Sequence, residues 1–487
     1  MPKGTLALDP AGMSVDRGQP LVPQLHAQLK ARILSGQLAA GARLPTTRAL
    51  AGALGLSRNT VVRVYEQLLD EGYIKGRTGD GSYVSELHGA SAHAPKAAEP
   101  LRMPDGPLWQ RLQAYQPARM PEGPARAFRY GMPALDLFPA EVWSRLHARF
   151  WRHPASRALG YSDPAGLPRL RRQVADYLSH ARGLNCEPEQ VIITTGSQQA
   201  ISLAALALLR AGDRVATESP GYRAAAAALG LLGNQVLRVP LDEQGLRVGA
   251  LEALGPCRLV YVTPSHQFPS GVTMTPARRL ELLDWARRHD AFVIEDDYDG
   301  EYRYTGVPLA PLAALDASGR TLYVGTFSKL LFPGLRLGYL LAPPGWAETL
   351  ARLRAVLDRH SGIADQHVLA DFIEQGHFLR HVRRVRRAAL TRRDALLESW
   401  QRAFGQALPL RPVAAGLHAL LPLESPAQEA LYLRLAEQQG IELGALRQIG
   451  AVPAASQLAG LVLGFAPVPE AQIQSAVQTL ARAWRKA

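Results

Sequence analysis

The chain has 487 residues, of which 47% are hydrophobic and 20% charged, and its formal net charge is +13. That length suggests two or three domains, and that composition excludes an intrinsically disordered chain. The basic balance favours polyanionic partners. With two cysteines, Cys186 and Cys257, neither a disulfide framework nor a cysteine-based zinc site is available, which fits a reducing cytosol. No charged segment followed by an apolar core opens the chain, and runs such as residues 224–232 are far shorter than a membrane span. The expectation is a cytoplasmic protein without a membrane partner.

Residues 20–36 place Leu21, Leu25, Leu29 and Ile33 four apart and end at Gly36, the pattern of an amphipathic helix with a glycine stop. After Gly41-Ala42-Arg43-Leu44-Pro45, either Thr46 or Thr47 can cap a second helix that runs to Leu54 and stops at Gly55. Ser57 caps a third, with Val61, Val64, Leu68 and Leu69 expected on its apolar side and Gly72 at its end. Two short helices joined by a tight turn form a helix-turn-helix. The exposed start of the third helix offers Ser57, Arg58, Asn59 and Thr60, side chains suited to base edges and phosphates. Residues 73–84 then read as two short strands around a glycine-rich tip, a hairpin wing.

This stretch resembles the winged helix of GntR-type bacterial repressors. The resemblance rests on Leu44-Pro45-Thr46-Thr47-Arg48, Leu56-Ser57-Arg58-Asn59-Thr60-Val61, Tyr65-Glu66-Gln67-Leu68 and Glu71-Gly72-Tyr73. It implies that Arg48, Arg58, Thr60 and the wing glycines Gly79 and Gly81 touch double-stranded DNA, with Arg43, Thr46, Ser57, Asn59 and Arg63 completing the interface. Residues 1–85 hold ten basic and six acidic side chains, so most of the positive excess lies elsewhere. A winged helix that binds protein remains an alternative.

Residues 86–127 are rich in Ala, Pro and Gly and read as a semi-extended linker, with Leu108-Trp109-Gln110-Arg111-Leu112 as a short helical piece. From Phe128 to Ala487 strand patterns alternate with helical ones, which predicts an α/β domain with a mostly parallel sheet. Val191–Thr195 is a short buried strand followed by Gly196-Ser197-Gln198-Gln199 and a helix, so backbone amides and the helix dipole can form an anion site. A plain strand-to-helix turn fits the same residues. No GxGxxG or P-loop pattern occurs, so a nucleotide site is not indicated. The strand from Val215 ends in Ser219-Pro220-Gly221-Tyr222, where Tyr222 can stack on a flat ring. The strand Arg258–Thr263 leads into Pro264-Ser265-His266-Gln267-Phe268-Pro269-Ser270-Gly271. The strand from Ala291 ends in Glu295-Asp296-Asp297-Tyr298-Asp299, four carboxylates within five residues. Such a cluster calls for a cation: a divalent metal, a protonated ring nitrogen, or Arg and Lys from elsewhere. No histidine stands at ligand spacing in the cluster. The strand Thr321–Phe327 delivers Lys329, whose partial desolvation would favour a nucleophilic amine. Thr326 and Ser328 can donate to a phosphate and Arg336 can pair with it.

Taken in order, these pieces resemble the fold type I aminotransferases. The resemblance implies a large, mostly parallel sheet domain and a smaller C-terminal α+β domain, with pyridoxal 5'-phosphate as cofactor. It assigns Gly196, Ser197 and Gln198 to the phosphate turn, Tyr222 to ring stacking and Asp296 to the pyridine nitrogen. Tyr298 falls beside the ring oxygen, Lys329 becomes the Schiff-base lysine, and Thr326, Ser328 and Arg336 reach the phosphate. Tyr161 would reach a phosphate across a dimer interface. The fusion of the two parts is similar to the MocR subfamily of GntR-type transcription regulators. That likeness implies a cytosolic homodimer, head-to-tail, binding promoter repeats and sensing pyridoxal phosphate or an amine effector, with vitamin B6 metabolism one possible target. One departure stands out. Aminotransferases hold the substrate carboxylate with an arginine ahead of the late strand; here the corresponding position is Leu458, with Arg223 and Arg447 as possible substitutes. A working pyridoxal phosphate-dependent aminotransferase with a fused DNA-binding module is the alternative reading. The helix around 380–393 carries seven arginines, expected on a solvated face.

Overall fold

The computed structural model describes residues 8, 12–77, 80–86, 106–117, 123–152, 154, 156–306, 309–450, 452–453 and 455–485. The chain divides into two compact units, Met1–Pro104 and Asp105–Ala487.

The first unit holds helices α1 (Leu21–Leu34), α2 (Thr47–Leu54) and α3 (Arg58–Asp70), then strands β1 (Ile74–Arg77) and β2 (Gly81–Val84). Thr46, and not Thr47, caps α2: its hydroxyl accepts the Ala49 N–H at 3.2 Å. Ser57 caps α3 in the same way, accepting from Thr60 N–H at 3.1 Å. Gly55 ends α2 in the left-handed region at φ 63°, where a side chain would be strained. The core joins Leu25, Leu29, Ile33, Leu50, Val61, Val64, Leu68, Ile74 and Val84. Each such side chain contributes roughly 1.5–3 kcal/mol on burial. Leu69 is 48% exposed and lies off this face, contrary to the sequence reading. The helical period puts Tyr65, not Leu69, beside Val61, Val64 and Leu68, and the Tyr65 hydroxyl reaches Pro45 O at 2.9 Å. The β1–β2 hairpin is antiparallel, with Ile74 opposite Val84 and Arg77 opposite Gly81.

The second unit begins with a helix at Pro107–Ala114, inside the stretch read as linker. Its main sheet contains β3 (Val191–Thr194), β4 (Arg214–Ser219), β5 (Gln235–Asp242), β6 (Gly245–Leu246), β7 (Leu259–Val262), β8 (Phe292–Asp297), β9 (Thr321–Thr326) and β10 (Gly338–Leu341). The strand order is β3-β10-β9-β8-β7-β4-β5-β6. Strands β5, β4, β7, β8 and β9 run parallel, and β10 is antiparallel to both β9 and β3. Every residue of β7, β8 and β9 is buried, as expected of parallel strands covered by helices on both faces. The parallel arrangement sends the C-terminal ends of β4, β7, β8 and β9 to one edge, where such sheets bind ligands.

A 28-residue helix, His377–Phe404, precedes a second sheet of β11 (His418–Leu423), β12 (Gly444–Ala445) and β13 (Ala459–Gly464), antiparallel in the order β11-β13-β12. Arg380, Arg383, Arg384, Arg386 and Arg387 of the long helix are exposed. Arg392 departs from the expected solvated face. It is buried, its Nη1 donating to Asp136 at 3.1 Å, and it also donates to Ala466 O. Among the described residues, no helix is long and apolar enough to cross a membrane.

Candidate functional site

The edge where β4, β7, β8 and β9 end gathers the chemistry. Asp296 is the penultimate residue of β8, and its Oδ2 accepts the Tyr261 hydroxyl of β7 at 2.7 Å. Its Oδ1 is buried without a hydrogen-bond partner. Burial pushes the carboxyl up to about 7, with Asp297 and Asp299 adding to the rise while Tyr261 and Lys329 oppose it. An unpartnered buried carboxylate oxygen is what a protonated ring nitrogen would satisfy.

Lys329 follows β9. Burial and the Arg336 guanidinium hold its amine below the usual lysine range, against Asp299 and Asp296, which pull it up. Its Nζ donates to Gly131 O, and the Tyr302 hydroxyl binds its backbone carbonyl at 2.8 Å. Ser328 N–H donates to Thr326 Oγ1 at 3.1 Å, and both side chains are buried.

The anion cradle forms where β3 turns into the helix Ser197–Leu208. Gly196 has φ 93°, and a Cβ there would lie 2.9 Å from Arg336 Nη2. The backbone there favours glycine, since L side chains rarely adopt that φ. Arg336, itself left-handed at φ 51°, donates to Thr195 O at 2.8 Å. A guanidinium beside the free N–H groups of a helix start suits a phosphate. The Gln198 side-chain nitrogen is committed to Ala224 O at 3.0 Å, which leaves its backbone N–H for an anion. Tyr222 caps the next helix and packs edge-on to Phe268, ring centroids 5.9 Å apart. Burial lifts its phenol to about 12, with Asp296 and Tyr115 adding to the rise and Arg336 opposing it.

The four carboxylates of the β8 end separate into different environments. Glu295 accepts Leu312 N–H and Ala313 N–H, each at 2.9 Å, and faces Arg279 at 3.9 Å. Asp297 pairs with Arg182 and accepts the Tyr323 hydroxyl. Asp299 accepts from His266 Nδ1 at 2.9 Å. Asp296 has no arginine or histidine partner of its own, and its Oδ1 is left unpaired, as are Asp297 Oδ1 and Asp299 Oδ1. Arginine pairing thus answers two of the four. Glu218, in β4, was not singled out in the sequence: it is buried, accepts Thr263 Oγ1 at 2.7 Å and Gln267 Nε2 at 3.0 Å, and burial pushes it up to about 7. Nor were His266 and His418, whose donor atoms lie with those of Asp299 within 4.8 Å of one another. The three are far apart in the chain, so spacing carried no signal. Tyr161 stands outside the cluster at 80% exposure, with Arg359 over its ring at 4.6 Å.

The arrangement fits pyridoxal phosphate: an amine at Lys329, an unpaired carboxylate oxygen at Asp296, an aromatic at Tyr222 and an anion cradle at Gly196–Gln198 with Arg336.

In the first unit Arg48, Arg58, Asn59 and Arg63 are exposed, and Thr60 is half-buried with its hydroxyl 2.8 Å from that of Ser57. Arg48, Arg58 and Arg63 have no carboxylate within 4.0 Å among the described residues. Arg43 differs: it donates to Asp80 O, lies 3.7 Å from the Asp80 carboxylate and packs on Gly81. Thr46 is exposed, as is Gly81 at the wing. Gly79 lies outside the described residues.

Fold and site together define a winged-helix module joined to a domain of the aminotransferase type. The model for aminotransferase class I and II matches residues 135–480, and that for bacterial regulatory proteins of the gntR family matches residues 21–84. The chain is 35% identical to the probable rhizopine catabolism regulatory protein MocR of Rhizobium meliloti, over 96% of this chain and 94% of that protein. It is 36% identical to the HTH-type pyridoxine biosynthesis transcriptional regulator PdxR of Corynebacterium glutamicum, over 91% of each. Among solved structures, Pyrococcus horikoshii kynurenine aminotransferase superposes with a TM-score of 0.68 at 28% identity, over 79% of this chain and 95% of that one. The chain belongs to the MocR subfamily of GntR-type transcription regulators.

Proposed function

We propose that this protein is a DNA-binding transcription regulator that holds pyridoxal phosphate at Lys329 and reports on that cofactor, or on an amine effector that meets it, through its winged helix. The observation that carries the reading is the unpartnered Asp296 Oδ1 at the same sheet edge as Lys329, in a chain that also bears a GntR module. When bound, the cofactor supplies an aldehyde carbon for an amine and an electron-accepting ring. Asp296 holds the ring nitrogen's proton, Tyr222 covers a ring face, and Arg336 with Gly196–Gln198 neutralises the phosphate. Tyr161 belongs to the site of a partner copy in a head-to-tail homodimer, which accounts for its exposure. Residues 1–85 bind promoter repeats through Arg48, Arg58, Thr60 and their neighbours. Residues 86–127 link them to the effector domain, 128–487. The protein acts in the cytoplasm.

Leu458 is 49% exposed where an aminotransferase has its carboxylate-binding arginine. Arg447 is turned to Ser456 O and Leu458 O, and Arg223 to Gln448 O. Without the bidentate arginine an α-amino acid loses a strong anchor, which favours pyridoxal phosphate itself as effector. The cofactor relation of the C. glutamicum relative's name points the same way. The retained Lys329, Asp296 and Arg336 keep a second reading in view, a working aminotransferase with a fused DNA module. Two measurements decide: operator affinity with and without pyridoxal phosphate, and transamination across a panel of amino donors. Regulation predicts a cofactor-dependent affinity. Turnover on the order of 1 s⁻¹ or more, with cofactor-independent DNA affinity, would overturn it.

A further inference from the structure

His266 and Asp299 form a buried unit that the cofactor assignments above do not use. His266 comes from the turn after β7 and Asp299 from the turn after β8. The His266 Nδ1 lies 2.9 Å from Asp299 Oδ2 and 3.0 Å from the Tyr298 hydroxyl. The imidazole is fixed on its other sides. The His418 ring, from β11, lies 4.6 Å away between centroids, its Nε2 3.2 Å from Pro269 O. A Cβ on Gly416 would overlap the His266 ring, so the chain passes there only as glycine. The Phe268 ring stands edge-on to Tyr298 at 6.1 Å. Tyr298, His266 and Asp299 are therefore one packed set, and Asp299 Oδ1 has no partner.

The hydrogen bonds dictate where the protons sit. Asp299 accepts only, so the Nδ1 proton lies on His266 and points between Asp299 Oδ2 and the Tyr298 oxygen. A tyrosine oxygen that accepts that proton is left to direct its own proton elsewhere. Asp299 and Asp296 raise the Lys329 amine against its burial, and burial, then Asp299 by its charge and a side-chain hydrogen bond, then Asp296 and Glu218, raise the Tyr298 phenol. Lys329, Asp296, Glu218, His418 and Asp299 are thus the titratable groups around the unit.

We infer that His266, held by Asp299, is a positioning residue that orients the Tyr298 hydroxyl toward the cofactor's ring oxygen and so sets the pH at which the Lys329-bound cofactor gains or loses its proton. This rests on the cofactor reading above. Replacing His266 with Phe removes the Nδ1–H that competes for Asp299 Oδ2, and leaves the Tyr298 hydroxyl to commit its proton to Asp299. The ring oxygen then loses its donor.

The test is a spectrophotometric pH titration of the cofactor-loaded full chain, with the cofactor dissociation constant measured alongside. His266→Phe and Tyr298→Phe should each move the titration midpoint by about one pH unit or more in the same direction, and the double variant should move it no further. His266→Asn, whose amide N–H can take the place of Nδ1–H, should return the midpoint toward wild type. A midpoint unchanged in His266→Phe, in a variant that melts like wild type when cofactor-free, overturns the inference. So does a double variant whose shift is the sum of the two. Absence of any cofactor band in the wild type would instead sink the cofactor reading, which keeps the two failures apart.

Discussion

Tyr261 and Asp296 share a 2.7 Å hydrogen bond that occupies one carboxylate oxygen and leaves the other buried and unpaired. In the cofactor-free chain that oxygen is a desolvated acceptor, and burial pushes the carboxyl up to about 7 from a usual 3.8. A folded-state value above the unfolded one means that the folded chain binds the extra proton. Stability from this group is therefore full below about pH 4 and is lost as pH rises through about 7. Glu218 and Glu295, also pushed up to about 7, act with the same sign. The urea midpoint of the cofactor-free protein should fall as pH rises from about 4 through about 7. Asp296→Asn should flatten that slope by on the order of 1 kcal/mol or more. Equal slopes in the two proteins would count against a protonatable Asp296.

Lys329→Ala should abolish the visible absorbance of the loaded protein, because among the described residues no other lysine lies in the second unit. Circular dichroism of the variant should match wild type, since Lys329 makes one side-chain hydrogen bond, to Gly131 O. Retention of a visible band after gel filtration would place the covalent link elsewhere.

Arg58 opens α3, exposed and with no carboxylate within 4.0 Å among the described residues. Arg58→Ala should weaken operator binding by about 1–3 kcal/mol and leave the cofactor absorbance unchanged. Arg43→Ala should cost less, because Arg43 is already engaged by Asp80. Fluorescence anisotropy at fixed salt measures both, and the reverse ranking would move the interface from the helix start to the wing.

Arg392 ties the long helix to Asp136 and to Ala466 O. Arg392→Ala strands that carbonyl and leaves Asp136 to water. A loss of about 2 kcal/mol is expected, below the figure for a fully buried pair because Asp136 is partly exposed. Chemical denaturation gives the value, and a loss under about 0.5 kcal/mol would show the contact to be incidental.

The winged helix was legible because its signals are local. A threonine or serine cap, a four-residue spacing and a glycine stop act within one turn of chain, and Thr46, Ser57 and Gly55 play those parts. The one slip, Leu69, came from reading two adjacent leucines as one face where the helical period admits only Leu68. The strand-end motifs were legible for a related reason: a parallel sheet returns each C-terminal end to the same edge, so motifs in strand order become neighbours in space.

Proximity between distant segments had no such signal. The sequence by itself determined a winged helix ahead of an α/β aminotransferase-like domain, and it nominated Lys329 and Asp296 for a cofactor. Only the tertiary structure decided how the acidic run divides. Arg182 and Arg279 arrive from separate helices to neutralise Asp297 and Glu295, and His266 arrives from the next strand's turn to hold Asp299. The physical reason is that a buried charge must find a partner within about 4 Å, and only the folded chain determines which groups come that near. Asp296 is the member of the run that no arginine or histidine reaches.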